Sequence, residues 1–438
     1  MAQEILANDI KRFFFAYFLI IHLFSNDPLE AATIHVCKGC ELKSVKLGLQ
    51  NAKPGDQIVV DSGLYEEGTI LVDKPVSIVG KNLPIIDGLH LGHVFYIRAN
   101  NVSIEGLTIQ NSGMSYISDF AGIRAEHSGE CSFKNNIFKN NTYSIYFEKV
   151  HDCTIENNQI RSNATNEVKA GNGVHLFYSN RISVIGNEIT GQRDGLYFEF
   201  TEDSLIENNY SHDNIRFGMH FMFSHRNTFN NNTFSDNPTG VAIMYSRHLS
   251  VFQNVFERSQ GNSSYGFLIK EIVDSKFSHN VFRENTWGIF LNGSNRNVFE
   301  QNVFLSNGWA AEIYSNSYNN NFTLNNFIGN NFDVATNSRR NTSLFQKNYW
   351  DKYEGYDFDR NGIGDILYRP VNIFSFWVSQ FPELAILLNS PIVKFLDIAE
   401  RYFPVLTPGK LIDENPKVKP IPLDAMQSAG SKGIEKDS

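Results

Sequence analysis

Clusters of lysine and arginine are missing from the body of this chain, which has 38 basic and 47 acidic residues. Nucleic-acid phosphates are bound by clustered basic side chains, so a formal net charge of −9 argues against a nucleic-acid partner. Four cysteines in 438 residues are too few for a disulfide framework. Only 19% of the residues are charged, whereas phenylalanine is abundant at 36 residues. An apolar interior must therefore hold the fold together.

Long apolar runs are also scarce, and the run near the N-terminus is short. Lys11 and Arg12 precede FFFAYFLIIHLF at 13–24, and small residues follow. A membrane-spanning helix needs about 20 apolar residues, whereas about a dozen after basic residues is typical of a secretory signal. We expect residues 1–32 to be a signal peptide cleaved near Ala31 or Ala32, with an uncleaved membrane anchor as the alternative. The mature protein is then expected in an exported compartment.

A repeat of about 22 residues, the length of one coil of a β-solenoid, runs through the chain. Each coil opens with an apolar residue, usually after a glycine: Ile123, Ile145, Val174, Leu196, Met219, Val241, Phe267 and Ile289. An asparagine recurs thirteen residues into each coil: Asn136, Asn158, Asn187, Asn209, Asn232, Asn254, Asn280 and Asn302. Stacked amides can form a hydrogen-bonded ladder, and the apolar residue two positions later, often phenylalanine, predicts a stacked core.

Short parallel strands with Gly/Asn-rich connections and no helix between them predict an all-β, right-handed parallel β-helix. We expect an N-terminal cap and first coils over residues 33–110, with KSVKLGLQNA as a short covering helix. Regular coils should occupy residues 111–347. A calcium-like loop and a helical cap should occupy residues 348–404, and an extended or disordered tail residues 405–438.

Two methionines are predicted to share the outer face of this β-helix. Side chains alternate along a strand, so the second and fourth residues of each coil should point outward. Met222 and Met244 then lie on adjacent coils, with His220 on the same strand as Met222, Glu199 one coil away and His175 in the column of His220. Thioether and imidazole ligands suit Cu(I), which we expect to bind transiently. The alternatives are a Met-rich contact surface for a protein partner, or packing beneath loops.

The four cysteines form two candidate pairs. Cys37 and Cys40 form a CxxC motif, which is read either as a structural disulfide or as part of a metal site. Cys131 and Cys153 occupy one column on adjacent coils, at a spacing compatible with a disulfide. Stacked, inward-facing thiols are the alternative for the second pair.

An acidic loop follows the coils. Asp357, Asp359, Asn361 and Asp365 alternate around Gly362 and resemble the first nine residues of a calcium-binding loop, in which oxygen ligands converge from one tight turn. The acidic residue expected at position twelve is missing. The sequence therefore predicts either a Ca²⁺ site or a turn held by Asx hydrogen bonds alone.

The chain resembles the NosD family of periplasmic β-helix proteins over residues 33–422. The resemblance lies in the coil segments GNGVHLFYS, RDGLYFEF, RFGMHFMFS and GVAIMYS, in NYW…GYDFDRNGIGD…YRPVN, and in PELAILLNSP and DENPKVKP. It implies a non-enzymatic role in assembling the copper–sulfur centre of nitrous oxide reductase. It also implies docking on an inner-membrane ABC transporter of a permease and an ATPase, and copper exchange with a lipoprotein chaperone.

Two other functions remain open at this point. Parallel β-helices are common among carbohydrate lyases, hydrolases and epimerases, and fold alone does not exclude such an enzyme. Glu126 and Glu148 are stacked neighbours with Arg124 nearby, but no Asp-rich catalytic string follows them. The third possibility is a metal-free adaptor that holds the transporter against its client.

Overall fold

The computed structural model describes residues 31–115, 117–337, 342–388, 390–403 and 411–422. The predicted signal peptide lies outside the described residues as far as residue 30. The described chain winds into a right-handed parallel β-helix of about 14 turns with roughly 23 residues each. The predicted fold class is therefore confirmed.

Three parallel sheets, which we call A, B and C, run along the β-helix; in the described part of the chain they have 14, 13 and 12 strands. Sheet A consists of Thr33–Val36, Gln57–Val60, Ser77–Gly80, Ser103–Glu105, Ser132–Lys134, Thr154–Glu156, Ser183–Ile185, Leu205–Glu207, Thr228–Asn230, Ser250–Phe252, Lys276–Ser278, Val298–Glu300, Asn321–Thr323 and Leu344–Gln346. Sheet B consists of Leu64–Glu66, Ile85–Asp87, Thr108–Gln110, Ile137–Lys139, Gln159–Arg161, Glu188–Thr190, Tyr210–His212, Thr233–Ser235, Val255–Glu257, Val281–Arg283, Val303–Leu305, Asn326–Ile328 and Tyr349–Trp350. Sheet C consists of Ile70–Val72, Phe95–Ile97, Ala121–Glu126, Tyr143–Glu148, Val174–Phe177, Asp194–Glu199, Phe217–Met222, Thr239–Met244, Tyr265–Lys270, Trp287–Asn292, Trp309–Ile313 and Phe332–Ala335.

Pairs of residues turn the chain from sheet A to sheet B. The first residue adopts the left-handed region, which asparagine tolerates better than most residues; Asn135, Asn157, Asn208 and Asn231 have φ between 51° and 55°. The second residue is the predicted asparagine, whose side-chain amide points into the interior of the β-helix. Its Nδ2 donates to Oδ1 of the equivalent asparagine one coil on, at 2.9–3.2 Å from Asn136 to Asn348. The predicted asparagine ladder is confirmed and satisfies buried backbone groups at every turn.

Aromatic rings fill the interior of the β-helix beside the asparagine ladder. Ring centroids of Phe256, Phe282, Phe304 and Phe327 follow one another at 4.7–5.0 Å, and Trp350 closes the stack at 4.1 Å. The coil-opening residues, Met219 among them, are also buried in the core. Since both columns repeat at every turn, one apolar core is continuous along the barrel.

Helices lie at both ends of the barrel. Helix α1 (Val45–Asn51) buries Val45, Gly48 and Leu49 against the first coil, and a Cβ at Gly48 would come within 2.8 Å of a Val36 methyl group. At the other end lie α2 (Ile373–Gln380), a 3₁₀ helix (Pro382–Leu387) and α3 (Pro391–Tyr402). Among the described residues, no helix has the length and hydropathy required to cross a membrane.

The segment 411–422 returns to the last coil and closes it. Asp413 is fully buried and takes the place of the next asparagine in the ladder. Its carboxylate accepts hydrogen bonds from Lys347 N, Asn348 N and Asn348 Nδ2, and from Trp350 Nε1 at 3.1 Å. This part of the predicted extended tail is therefore a packed end cap.

Both cysteine pairs form disulfides. Cys131 and Cys153 are buried on adjacent coils with Cα atoms 4.5 Å apart, and Cys37 is bonded to Cys40. Of the alternatives that the sequence left open, the structure contains the disulfide in each case.

Candidate functional site

Two columns of side chains project from the outer face of sheet C. The second-residue column is Arg124, Tyr146, His175, Tyr197, His220 and Ala242. The fourth-residue column is Glu126, Glu148, Phe177, Glu199, Met222 and Met244. The strand register thus confirms the predicted order of both columns.

The fourth-residue column brings the two methionines together. Met222 pairs directly with Met244 on the next strand and with Glu199 on the preceding strand, and both methionines are half-buried. We call Met222 and Met244 the methionine pair. His220 lies on the same face, two residues before Met222. Thus a thioether pair, an imidazole and a carboxylate lie on three successive strands of sheet C.

The ring of His220 is almost enclosed but its nitrogens have no hydrogen-bond partner. The side chain is 11% exposed and packs on Tyr197 and Phe217, with ring centroids 5.1 and 4.9 Å away. Its Nδ1 lies 3.9 Å from a carboxylate oxygen of Asp194, beyond hydrogen-bonding distance, and both ring nitrogens are buried. An imidazole without hydrogen bonds is costly in a buried position unless another ligand completes it.

Asp194, which lies beside this ring, forms an ion pair with Arg216. Arg216 donates two hydrogen bonds to it, Nε at 2.9 Å and Nη2 at 2.6 Å. Burial alone would raise the pKa of Asp194, but His220 and Arg216 outweigh burial and hold that pKa below its ordinary value. Asp194 is therefore a charged anchor for Arg216 rather than a free base.

His175 does not join the methionine pair. It lies two strands before His220 in the same column, between the rings of Tyr146 at 4.1 Å and Tyr197 at 4.5 Å. Its Nδ1 lies 3.1 Å from the amide nitrogen of Asn172. Burial, followed by the charges of nearby arginines, lowers its pKa to about 3, so the ring is neutral. This arrangement fits an aromatic packing role, and a ligand role for His175 stays a prediction.

The second-residue column is more enclosed than the sequence predicted. We expected these side chains to face solvent, but Arg124 is buried although it points outward, because its neighbours cover it. Arg124 forms ion pairs with both Glu126 and Glu148, and its guanidinium lies 3.8 Å from the ring centroid of Tyr146. The two glutamates are thus held by one arginine and are not free to act as a general acid and base.

A stack of aromatic rings borders the methionine pair, and sequence reasoning missed it. We call it the aromatic ladder; it consists of Tyr178, Phe200, Phe223 and Tyr245, each directly after a fourth-residue position. Successive centroids are 4.5, 5.2 and 4.9 Å apart, with planes within 12° of parallel. Tyr178 is 48% exposed and Phe223 38% exposed. Because the rings cover one another's faces, the surface presents their edges.

The backbone of the aromatic ladder is strained. All four residues have φ between 49° and 55°, a left-handed conformation that costs roughly 1–2 kcal/mol for a residue with a Cβ. Ring stacking returns about 0.5–1.5 kcal/mol per pair. Glycine or asparagine would occupy these corners without aromatic exposure. The same corner is left-handed in neighbouring coils at His127, Lys149 and Glu271, so the conformation belongs to the coil. The aromatic side chains at four successive corners, two of them exposed, are what is typical of a functional surface.

The acidic loop forms an Asx-type turn. Asp357 accepts hydrogen bonds from Asn361 N at 3.0 Å and Gly362 N at 2.8 Å, and Asp365 accepts one from Phe358 N at 2.7 Å. In the described chain, no group of three or more His, Cys, Asp or Glu side chains is arranged to hold a metal ion. These contacts fit the turn held by side-chain hydrogen bonds, and Ca²⁺ binding by Asp357, Asp359, Asn361 and Asp365 stays a prediction.

Comparisons with known proteins agree with this architecture. Two curated relatives bear the name probable ABC transporter binding protein NosD. The protein of Stutzerimonas stutzeri is 27% identical over 378 residues, 82% of this chain and 86% of the relative. That of Pseudomonas aeruginosa is 26% identical over 371 residues, 80% of this chain and 86% of the relative. The Dettilon tailspike protein, at 15% identity and a TM-score of 0.54, covers 72% of this chain and 68% of its own and shares the fold alone.

A family model matches most of the β-helix. The model described as periplasmic copper-binding protein (NosD) matches residues 49–170 and 164–358, which together include sheet C, the methionine pair and the aromatic ladder. The resemblance found in the sequence is thereby confirmed. This chain belongs to the NosD family of periplasmic copper-binding proteins.

Proposed function

We propose that this protein is a periplasmic accessory factor for assembly of the copper–sulfur centre of nitrous oxide reductase, and that it carries Cu(I) as cargo at the methionine pair. The observation that carries this proposal is the direct pairing of Met222 with Met244 beside the ring of His220, whose buried nitrogens make no hydrogen bond. The name of the matching family supports copper as the metal.

The donor set fits Cu(I) better than a hard cation. Thioether sulfur and neutral imidazole are soft or borderline ligands, whereas Ca²⁺ and Mg²⁺ require several oxygen ligands. Glu199, which pairs with Met222, supplies a carboxylate at the edge of the set and already accepts a hydrogen bond from Tyr197 at 3.2 Å. Met222 and Met244 are only partly buried, so the metal could leave as well as enter, as a carrier requires.

Cu(I) affinity tests this assignment. The double substitution Met222→Leu and Met244→Leu keeps side-chain volume and removes both sulfurs, so the fold should persist. Competition with a chromophoric Cu(I) chelator should show at least a tenfold loss of affinity. Met219→Leu is the matched control, because Met219 lies on the same strand but faces the core. Equal affinity in wild type and the double variant would refute copper binding by the pair.

The aromatic ladder is proposed as the contact surface for the protein that exchanges copper with this chain, a lipoprotein chaperone or the reductase. Ring edges pack well against methionine sulfur and against other aromatic faces, both frequent at protein interfaces. The ladder extends for about 14 Å over four rungs, alongside the methionine pair. A carbohydrate is a poorer fit, because sugars stack on ring faces and those faces are covered here.

Glycine substitutions separate docking from metal binding. Phe200→Gly and Phe223→Gly together remove two rings and relieve two left-handed residues, so the variant should fold. We expect unchanged Cu(I) affinity but slower copper transfer from the purified chaperone, measured by stopped flow. Unchanged transfer would mean that the partner docks elsewhere.

The C-terminal helices are proposed as the site that docks on the ABC transporter. Helix α3 presents Ile392, Phe395 and Ile398 to solvent, and Phe395 is 68% exposed. An exposed apolar helix face of this kind is typical of an interaction surface. The relatives named as ABC transporter binding proteins support a permease and its ATPase as the partner. Phe395→Ser with Ile398→Ser should abolish co-purification with the transporter, whereas Lys394→Ser on the same helix should not.

A metal-free adaptor is the second candidate, favoured by the aromatic ladder alone. Replacing Met222, Met244 and His220 together while the transporter complex still assembles separates the two functions. Reductase isolated from such cells should lack copper if this chain carries it, and should retain copper if the chain is only an adaptor. Detectable turnover of a uronic-acid polymer would instead favour an enzyme.

A further inference from the structure

Glu312 is a buried acid that neither the ladders nor the methionine pair explains. It lies on the strand Trp309–Ile313 of sheet C, between Phe290 on the preceding strand and Ala335 on the next. Ala311 and Ile313 face the core, so Glu312 projects from the outer face, yet it is only 7% exposed. A carboxyl group in such a position normally has a basic partner or several hydrogen bonds.

Aromatic rings lie on the two strands before this carboxyl and on Tyr314 after it. Tyr265 packs on Trp287 and Phe290 with centroids 5.2 and 5.1 Å apart, and Tyr314 packs on Phe290 at 4.7 Å. Trp309 stacks on Trp287 at 4.8 Å, which extends the cluster. Tyr265, Trp287, Trp309 and Tyr314 are each half-buried, so the cluster reaches the surface. We call these five rings and Glu312 the acid–aromatic site.

No basic group of the described chain compensates the acid. Burial raises the pKa of Glu312 to about 7. The nearby indole of Trp287 lowers this pKa only in part, because its Nε1 does not form a hydrogen bond. Burial, followed by Glu312, raises the pKa of Tyr265. The same two causes raise the pKa of Tyr314.

Two charged residues of nearby strands, Lys270 two strands before Glu312 and Asp333 on the next strand, are engaged elsewhere. Lys270 lies over the ring of Tyr245, with Nζ 5.7 Å from its centroid. Asp333 interacts with Lys352 and Tyr368. The acid–aromatic site thus has one carboxyl that no basic group of the described chain neutralises, beside aromatic side chains.

We propose that the acid–aromatic site binds an organic ammonium group. A carboxylate neutralises the charge, and aromatic rings attract a cation and pack on its alkyl chain. A hard metal ion is a poor alternative, since it requires several oxygen ligands and this site has one carboxyl. The ammonium group can belong to a lysine of a docked protein or to a small free amine. This proposal is independent of copper and of the transporter.

The experiment titrates the folded chain with two probes and follows tryptophan fluorescence, since Trp287 and Trp309 lie at the site. The probes are n-butylammonium and the blocked peptide acetyl-Ala-Lys-Ala-amide, each against sodium chloride of equal ionic strength and against n-butanol. We expect a saturable change that is about tenfold tighter at pH 8 than at pH 6, because the ionised fraction of a group with a pKa of about 7 rises by that factor.

Glu312→Gln should remove the saturable change while the thermal unfolding temperature shows that the variant is folded. Glu284→Gln is the matched control, because Glu284 is an exposed glutamate outside this site. Tighter binding of the peptide would identify a partner's lysine as the ligand, and tighter binding of butylammonium would identify a free amine. No saturable response to either probe, or the same response in Glu312→Gln, would overturn the proposal.

Discussion

Asparagine 232 allows the contribution of the asparagine ladder to be measured. Its Oδ1 accepts hydrogen bonds from Asn209 N and Asn209 Nδ2, both at 2.9 Å. Its Nδ2 donates to Ile206 O at 2.8 Å and to Asn254 Oδ1 at 2.9 Å. Asn232→Ala removes all four bonds. It leaves Asn209 N buried without a hydrogen-bond partner, whereas Asn209 Nδ2, Asn254 Oδ1 and Ile206 O keep other hydrogen bonds, the last through the pairing of its strand with Thr228–Asn230.

The cost follows from the loss of these four hydrogen bonds. A hydrogen bond in a folded protein contributes about 1 kcal/mol net, so the free energy of unfolding should fall by about 4 kcal/mol. Asn231→Ala is the matched control: Asn231 precedes Asn232, but its side chain is exposed, so its replacement costs about 1 kcal/mol of left-handed strain and one exposed hydrogen bond to Asn208 Oδ1. Urea unfolding followed by circular dichroism measures both. A loss in Asn232→Ala no greater than that in Asn231→Ala would refute the ladder as a source of stability.

Three further changes test other parts of the chain. The pKa of folded Glu312 is raised to about 7 from an ordinary 4.5, so the wild type should lose stability as pH rises from about 4.5 to 7. Glu312→Gln should abolish that loss and be more stable at pH 8 by up to about 3 kcal/mol, with no gain at pH 4, in urea unfolding at each pH. Reduction or Cys131→Ser should cost about 3 kcal/mol, because the disulfide closes a separation of 22 residues. The same change at Cys37 should cost less, since its bond spans three residues; equal losses would contradict the loop-closure argument. Asp413→Ala should expose the last coil to hydrogen exchange and leave the first coils protected, and uniform protection would contradict its role as the end cap.

The repeated columns could be predicted because the same residue types recur at the same positions in successive coils. An inward opening residue and an inward asparagine recur at one spacing, so errors at single coils do not disturb the register. Once the register is known, alternation along the strands assigns Met222 and Met244 to the same outer face. The structure confirms that Met222 pairs with Met244 on the adjacent strand.

The aromatic ladder could not be predicted by the same logic. Tyr178 and Phe223 occupy corners where the backbone is left-handed, a conformation that aromatic residues rarely adopt, so propensity points away from it. The available signal was the recurrence of an aromatic residue four positions after the opening residue in four successive coils. This recurrence predicts an aromatic stack only if the corner residues of successive coils are known to lie directly above one another. That arrangement depends on the turn geometry rather than on alternation along the strands.

Burial of outward side chains was also beyond the sequence. Arg124 and His175 point away from the core, as alternation predicts, but neighbouring rings and ion pairs enclose them. Such lateral packing depends on side-chain conformation across three coils. Asp413 is a similar case. It closes the asparagine ladder although it lies 65 residues beyond Asn348, and no local sequence pattern predicts that contact.

The inward columns fix the backbone so firmly that the outward side chains should act independently, which gives a final prediction. Glu312 lies three strands beyond Met244 in sheet C, a separation of about 14 Å. Substitutions farther apart than about 10 Å without shared contacts usually have additive effects. Glu312→Gln should therefore leave Cu(I) affinity unchanged, and Met222→Leu with Met244→Leu should leave the butylammonium titration unchanged. Each affinity measured in the triple variant should equal that of the corresponding parent variant. If the metal and the amine instead weaken each other, both bind one shared surface of sheet C, and the two sites assigned here are parts of one.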